Sequence, residues 1–595
     1  MLRQPLIEFN PVEYESSGIE SAVKPYIMAD GSRNVLVTGN LKPQAYKGSL
    51  LQVGKLGSRF MTQAGDGFAG LGAFGDLEGI GSVARVMAGL FFSGAGTLYY
   101  NGVSQAASAS SILQLKLLAS GAFGATYQAG LSQPSAPTIA TRTSLGVGMS
   151  GKLKNGTYSI KIYKIRSATG ARSVASEASN LAVAVETDGV GQSLRVTFPA
   201  ADTNGGDRWG VCVTPRSFGS TGPYFLYKEI DEADLGTVDS VARSVEIEWS
   251  DGDLVDQPLA PVDSYPPPAC VFCGALGNSV FVDGAYGDTV DGVSASNPGT
   301  VIASSLPLRP EEFPLDWLSF PPDAPTALLR GGDGFYYRFG RNSLGVISYT
   351  GGEPAITYQL YWGTTGVAYP HNAVVAEGGR LYAKTGTKGL VRIGAGGEPD
   401  AAWAVPVLDD LENLSDAETV LGWDENNQTV CVMNGTTVWP FNSTLEKWGA
   451  PLDLSGEVTG RILSAATYQG ALYFSCLDAA SINLYKFNAG TGSVMKVFTD
   501  WSVSADKNDY IRQILIYMRA DSTNPVTVRV FKNEDAVTPV FEKQLTPEIG
   551  KPSILPVIDT LIPDLNTYCV YLEQETAGGD AGFERVVVKG YSKLK

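Results

Sequence analysis

Short apolar runs recur along the whole chain, and turn residues separate them. Near the start, NVLVTG, SLLQVG and GTLYYNG each end at glycine. Runs with a sustained helical period are almost absent, and the exception, SSILQLKLLASG (110–121), is short enough to be a buried strand. The pattern predicts an all-β fold, with hairpins across residues 1–145.

The sequence pattern changes between residues 150 and 262, where apolar and polar residues alternate along each run. Tyr158, Ile160 and Ile162 fall on one face of the strand that begins this segment. About seven strands in about 110 residues is typical of an immunoglobulin or fibronectin type III sandwich. The proline-rich stretch DQPLAPVDSYPPPA (256–269) cannot continue a central strand, so we place a domain boundary there.

A looser repeat follows from residue 270 to 500. Its members begin CVFCGALG, ALLRGGDG, AVVAEGGR, TVLGWDEN and SAATYQGA. Each joins an apolar strand, a turn and an aromatic-rich strand, at the spacing of roughly 40–60 residues that a propeller blade requires. We therefore predict a multi-blade β-propeller formed by residues 1–149 and 263–505, interrupted by the sandwich at 150–262. Residues 506–595 predict a C-terminal β-sandwich.

The composition of the chain argues against some classes of function. A formal charge of −17 over 595 residues argues against a protein that grips nucleic acid through its phosphates. It fits a surface that DNA slides past, because an acidic wall repels a polyanion. No signal-peptide core and no run of about 20 apolar residues is present, which predicts synthesis in a cytoplasm and no membrane span.

The cysteines predict core packing rather than chemistry. Six are spread along the chain, at Cys212, Cys270, Cys273, Cys431, Cys476 and Cys569. Cys270 and Cys273 form a CxxC, half of a zinc or redox site, but no second CxxC follows. The strand period places positions i and i+3 on opposite faces, which favours two buried reduced thiols.

Two glycine motifs match a dinucleotide fingerprint. GLGAFG runs from Gly70 to Gly75, and GVGMSG from Gly146 to Gly151. Neither precedes the helix that would hold a pyrophosphate, so we predict no nucleotide and no other cofactor.

Catalytic constellations are scarce. His371 is the single histidine and lies beside a proline with no nucleophile elbow in the chain, which favours a structural role. A glycosidase needs only two carboxylates, and the best candidates are a cluster in one loop, namely Glu311, Glu312, Asp316 and Trp317. With 61 acidic residues such clusters are common, so we predict no catalytic residues and no enzyme.

A second acidic cluster has the oxygen density of a calcium site without its spacing. Its members are Asp251, Asp253 and Asp256. They lack the twelve-residue EF-hand pattern, and we interpret them as a solvated turn, with no metal.

Three stretches carry a resemblance to a known family. NGTYSIKIYKIRSATGARSVASEAS holds a tyrosine-rich strand and a G-x-x-S-x-x-S turn, here Gly170, Ser173 and Ser176. RWGVCVTPRSFGSTGPYFLYKEI follows, with Trp209 to Thr214 where the family often has arginine and tyrosine. VIASSLPLRPEEFP (301–314) matches the link that re-enters the propeller. Together they resemble the propeller-bearing tail proteins of tailed bacteriophages, including the nozzle-type proteins of short tails.

The resemblance implies a structural virion protein, a ring-forming component of the tail nozzle or tail tube through which DNA is ejected. It implies partners of three kinds: copies of the same chain in a ring, other tail proteins such as adaptor, fibres or spikes, and genomic DNA in transient, sequence-independent passage. It also implies assembly in the host bacterial cytoplasm and location in the virion tail.

An alternative function is a tail propeller that binds or cleaves host glycans. It predicts exposed tryptophans beside carboxylates in a groove, with Trp317, Trp362 and Trp439 as the aromatic platforms.

Overall fold

The computed structural model describes residues 123–489 apart from short gaps, the longest being 143–152, 184–192 and 286–298, together with most of 525–546. Elsewhere it describes the strands named below. Among the named elements are fifty strands and five short 3-10 helices, so the all-β prediction is confirmed for the described residues. The 3-10 helices span Glu232–Asp234, Asp251–Leu254, Pro370–Asn372, Glu377–Gly379 and Ala402–Val407.

The first strands include the predicted hairpins. They are β1 (Leu6–Phe9), β2 (Val35–Val37), β3 (Pro43–Ala45), β4 (Leu50–Val53), β5 (Phe60–Ala64), β6 (Gly67–Gly72), β7 (Ser82–Val86), β8 (Gly89–Ser93), β9 (Gly96–Tyr100), β10 (Val103–Ser108), β11 (Ile112–Leu117) and β12 (Phe123–Gln128). The hairpins do not follow one another in one sheet, because the chain alternates between two. Sheet I has the order β5-β6-β9-β10, and sheet II the order β7-β8-β11-β12.

Each of the five repeats predicted between residues 270 and 500 forms one antiparallel sheet. Sheet III is β22 (Phe272–Leu276), β23 (Ser279–Ala285), β24 (Val301–Ser304) and β25 (Leu318–Ser319). Sheet IV is β26 (Pro325–Arg330), β27 (Tyr336–Gly340), β28 (Leu344–Tyr349) and β29 (Ile356–Trp362). Sheet V is β30 (Ala373–Val375), β31 (Leu381–Thr385), β32 (Gly389–Ile393) and β33 (Pro399–Asp400).

Sheets VI and VII complete the series. Sheet VI is β34 (Thr419–Asp424), β35 (Thr429–Asn434), β36 (Thr437–Asn442), β37 (Lys447–Trp448) and β38 (Leu452–Asp453). Sheet VII is β39 (Arg461–Tyr468), β40 (Ala471–Asp478) and β41 (Ser481–Lys486), and its fourth strand is β4 from the start of the chain. Leu50 pairs with Lys486 across this junction.

The seven sheets contact one another in a closed, propeller-like succession. The first strands of neighbouring sheets lie side by side, in the order β39, β5, β7 and β22, and again in the order β26, β30, β34 and β39. Sheets III and IV meet through one buried cluster that contains Phe281, Ile302 and Ile347. Because β4 belongs to sheet VII and β5 to sheet I, the start of the chain closes the succession.

Two further sheets lie between sheets II and III in the chain. Their strands are β13 (Thr138–Arg142), β14 (Gly156–Arg166), β15 (Ala171–Arg172), β16 (Ser179–Val183), β17 (Ser193–Thr197), β18 (Arg208–Val213), β19 (Phe225–Asp231), β20 (Gly236–Val238) and β21 (Val241–Ile247). One sheet has the order β13-β17-β21-β20, and the other has β14 at its centre, between β18 and the short β15 and β16. The two-sheet unit begins at Thr138, ahead of the predicted boundary at residue 150.

One buried cluster fills the space between these two sheets. Ile160 and Ile162 of β14 contribute to it, as the alternation predicts, and they lie with Val196, Trp209 and Ile247. Burying a large apolar side chain contributes about 1.5–3 kcal/mol, so this cluster stabilises the packing of the two sheets.

The remaining strands are β42 (Lys496–Phe498), β43 (Ser502–Val503), β44 (Asp509–Met518), β45 (Val526–Lys532), β46 (Phe541–Leu545), β47 (Ile554–Pro556), β48 (Ile562–Leu565), β49 (Thr567–Gln574) and β50 (Phe583–Ser592). They form two sheets, centred on β49 and on the β44–β50 pair. The first strand of the chain, β1, pairs with β50, so the predicted C-terminal unit also contains an N-terminal strand.

Candidate functional site at the joint between the two-sheet unit and sheet III

A fully buried arginine joins the two-sheet unit to sheet III. Arg166 is the last residue of β14, and its guanidinium donates to the Glu311 carboxylate, which lies in the link between β24 and β25. The same guanidinium donates to the carbonyls of Asn204, at 2.7 Å, and Gln128, at 3.0 Å. A buried cation needs both a counter-charge and hydrogen bonds, and this site supplies both.

Glu312, which follows Glu311, also contributes to this joint between the two-sheet unit and sheet III. Its Oε1 accepts from the backbone N–H of Arg172 at 3.0 Å, and its Oε2 accepts from the Ser264 hydroxyl at 2.7 Å. Ser264 belongs to the proline-rich connector that leaves the two-sheet unit. The adjacent carboxylates therefore hold this unit and its outgoing connector to one link of sheet III.

The incoming connector meets the outgoing one at a glycine. Gly130 has φ +78°, and a Cβ at this position would lie 2.5 Å from the Pro266 Cα. Its N–H donates to Glu311 Oε2 at 2.8 Å. Both connectors and both carboxylates therefore meet in one small buried region, and only glycine fits where they touch.

The G-x-x-S-x-x-S turn extends the hydrogen bonding of β14. Gly170 takes φ +75°, which reverses the chain after the strand. The hydroxyls of Ser173 and Ser176 then accept from the backbone N–H groups of Lys164, at 2.9 Å, and Ile162, at 3.0 Å. Their own N–H groups donate to the carbonyls of the same two residues. The motif is structural, because each serine pairs with β14 through backbone and side chain together.

Sequence reasoning identified Glu311, Glu312 and the serine turn but missed Arg166. The arginine ends an alternating strand, and charged residues at strand ends are ordinarily solvated, so its burial carries no local signal. The pairing depends on a contact between residues 145 positions apart.

The carboxylate cluster considered for glycoside hydrolysis is not an open site. Glu311 is 2% exposed and Glu312 is 1% exposed, and both are bonded to the joint. Of the three carboxylates, Asp316 alone is exposed. The cluster therefore does not place two carboxylates on a substrate groove.

The three candidate tryptophan platforms do not form an exposed surface. Trp317 and Trp439 are buried in clusters within or between sheets, and Trp362 is partly buried against another. The expectation of exposed tryptophan beside carboxylates is wrong for these residues.

The single histidine and the acidic turn occupy different environments. His371 is buried, in a 3-10 turn where its ring stacks on Tyr369 with 5.4 Å between centroids. Asp253 and Asp256 are exposed. No group of three metal-binding side chains occurs among the described residues.

All six cysteines are buried and none is in a disulfide. Cys270 and Cys273 pack in the same cluster, with Val280 and Val282, rather than on opposite faces. The strand period does not apply to this pair, because β22 begins only at Phe272. The GVGMSG motif lies outside the described residues. Of the GLGAFG motif, Gly70–Gly72 end the strand β6.

A second buried ion pair joins sheets III and IV. The guanidinium Nε of Arg338 lies 2.8 and 3.0 Å from the two carboxylate oxygens of Asp283, and both side chains are fully buried. Burial raises the pKa of Asp283 to about 6, against the opposing effect of Arg338. When Asp283 is ionised, its carboxylate is the counter-charge of Arg338 where the two sheets meet.

Comparison with known proteins identifies no family. No family model matches the chain, and no curated protein does. Solved structures similar to it include an exo-β-1,3-galactanase from Phanerochaete chrysosporium, with 10% identity over 64% of this chain and 93% of that one, at a TM-score of 0.17. Virginiamycin B lyase from Staphylococcus aureus shows 11% identity over 55% and 88%, at 0.23. These scores are too low to support any argument about activity.

No helix in the described part of the chain is long and apolar enough to cross a membrane.

Proposed function

We propose that this chain is a structural protein of a tailed bacteriophage virion, a ring-forming component of the tail nozzle or tail tube. Its body is a seven-bladed β-propeller made of sheets I–VII, with an immunoglobulin-like sandwich inserted between the second and third blades. Copies pack side by side in a ring, and DNA leaves through the lumen between them.

The buried contact between Arg166 and Glu311 is the observation that supports this proposal most strongly. Of the stretches that resemble the phage family, the PEEFP link fastens the sandwich to the body through Glu311 and Glu312, and the serine turn contributes one bond, from the Arg172 N–H to Glu312. Arg166 and Glu311 make that fastening a buried, charge-neutral contact, with each side chain at most 2% exposed. A rigidly held domain suits a part that must transmit force and present fixed surfaces to its neighbours.

The negative net charge of the chain also supports a role as a conduit for DNA. The chain carries a formal −17, which would be multiplied by the number of copies in a ring. If this acidic charge extends to the lumen, the lumen repels phosphates and DNA passes without sequence-specific contact.

The glycan-handling alternative has less support. Its best carboxylates, Glu311 and Glu312, are committed to the joint, and two of its three tryptophans are buried. We therefore propose no catalytic role for this chain, and place it in the virion tail after assembly in the bacterial cytoplasm.

Cryo-electron microscopy of the intact virion tests the proposal. The expected result is density for several copies of this chain around the tail axis, in contact with adaptor and with fibres or spikes. A virion that lacks the chain, or that holds one copy away from the axis, would refute it.

A further inference from the structure

The outermost strand of sheet IV is an unusually open edge. β29 runs for seven residues, Ile356–Trp362, and within the described residues it pairs with β28 alone. The outermost strands β25 and β33 of the two neighbouring sheets have two residues each. A long edge presents a row of backbone donors and acceptors that another strand can pair with.

This edge has none of the usual charged protection. Leu360 is 45% exposed and Tyr361 is 40% exposed. Residues 342–376 contain one side chain from the Asp, Glu, Lys and Arg group, Glu353, although 18% of the whole chain is of these types. A bulge at Tyr361 leaves Ile356–Leu360 as the regular part of the edge. Natural proteins normally guard such strands with lysine or proline.

The charge of the chain indicates what covers the edge. Two copies at −17 each repel one another, and a contact between two edges without charged side chains adds no close-range repulsion to this. A second uncharged edge exists in sheet I, where the outermost strand β10 (Val103–Ser108) pairs with β9 alone among the described strands. Residues 86–115 contain no charged side chain.

The two edges are placed as a ring requires. Sheets I and IV are three steps apart in a closed succession of seven, which separates their outer edges by about 150° around the body. A head-to-tail ring needs two different contact surfaces on well-separated sides of each subunit. A self-complementary pair of identical edges would close a dimer instead.

We infer that β29 of one copy adds to β10 of the next copy, so that strand pairing forms the subunit contact. This inference rests on the proposed ring. The contact combines backbone hydrogen bonds with apolar side chains, chiefly Leu360 and Tyr361, and avoids placing charge at the centre of the interface.

Charged edge variants test the contact. Leu360→Lys with Tyr361→Lys should convert rings to monomers in native mass spectrometry, and circular dichroism should show that the separated subunit keeps its β-sheet structure. The matched control is Val537→Lys, a residue that is 88% exposed in the C-terminal unit, and it should leave rings intact. Rings that survive the double variant would overturn the inference and leave the proposed function standing.

Cross-linking identifies the partner strand. The native thiols are buried, so the double variant Gln359→Cys, Ala107→Cys should give a ladder of covalent multimers with a short bis-maleimide. Each single variant should stay uncoupled. Dimers from Gln359→Cys alone would show that β29 pairs with itself, which contradicts the inference. A wild-type chain that remains monomeric, alone and with its tail partners, would contradict both the inference and the proposed function.

Discussion

Replacing Arg166 by methionine should destabilise the joint far more than the loss of one surface charge. The substitution keeps the apolar stem and removes the guanidinium. The Gln128 carbonyl keeps a donor, because the Asn204 side chain also reaches it at 3.0 Å. The Glu311 carboxylate keeps only the N–H of Gly130 and loses its counter-charge. The principal cost is therefore a buried, uncompensated charge.

Removing one partner of a buried ion pair costs about 3–5 kcal/mol. The Arg166→Met variant should lie in that range. Arg172→Met is the matched control, because Arg172 is six residues away and its guanidinium lies 3.8 Å from Glu229 with a third of the side chain exposed. A screened pair of this kind contributes about 0–1 kcal/mol.

Hydrogen exchange is the suitable assay, since a chain with several units need not unfold in one step. The amides of residues 127–137 and 256–269 should exchange more than a hundredfold faster in Arg166→Met than in wild type. Arg172→Met should leave them within a factor of about five. Replacing Arg166 and Glu311 together by methionine should recover most of the loss. If Arg166→Met and Arg172→Met behave alike, the assignment of the joint is wrong.

Three other outcomes follow from the fold. All six thiols are buried, and burial raises the pKa of Cys212 to about 12. Ellman's reagent should therefore find no reactive thiol in the native chain and six in denaturant. Rapid labelling of the native chain would contradict the assignment of the cysteines to the core. The folded pKa of Asp283 is above its ordinary value, so the ionised form is disfavoured and stability should fall as pH rises from about 4 to 6. Asp283→Asn should remove this slope in urea titrations, and an unchanged slope would refute it. Deleting residues 1–54, which removes β4, should lower the melting temperature more than deleting residues 1–46, which keeps β4 but removes β1; equal values would show that β4 does not close sheet VII.

The sequence predicts sheets III to VI well because one continuous stretch of chain forms each of them. The five repeats after residue 270 are antiparallel, and their apolar runs, separated by turn residues at the spacing of one blade, are enough to define most of their strands. The core face of β14 is predicted for the same reason, since Ile160 and Ile162 follow the period of two.

Long-range pairings could not be predicted. β4 joins β41 and β1 joins β50 across most of the chain, and neither strand carries a sign of its distant partner. The exchange of strands between sheets I and II has the same cause, because hairpins are local and the sheet that each enters is not. Arg166 and Glu311 are another such case.

The most direct test of the central claim is the copy number and position of this chain in the purified virion. Cryo-electron microscopy of the tail should show several copies around the axis, each with its sandwich fixed to the propeller by the Arg166–Glu311 joint. Absence of the chain from the tail, or a single copy off the axis, would contradict the account.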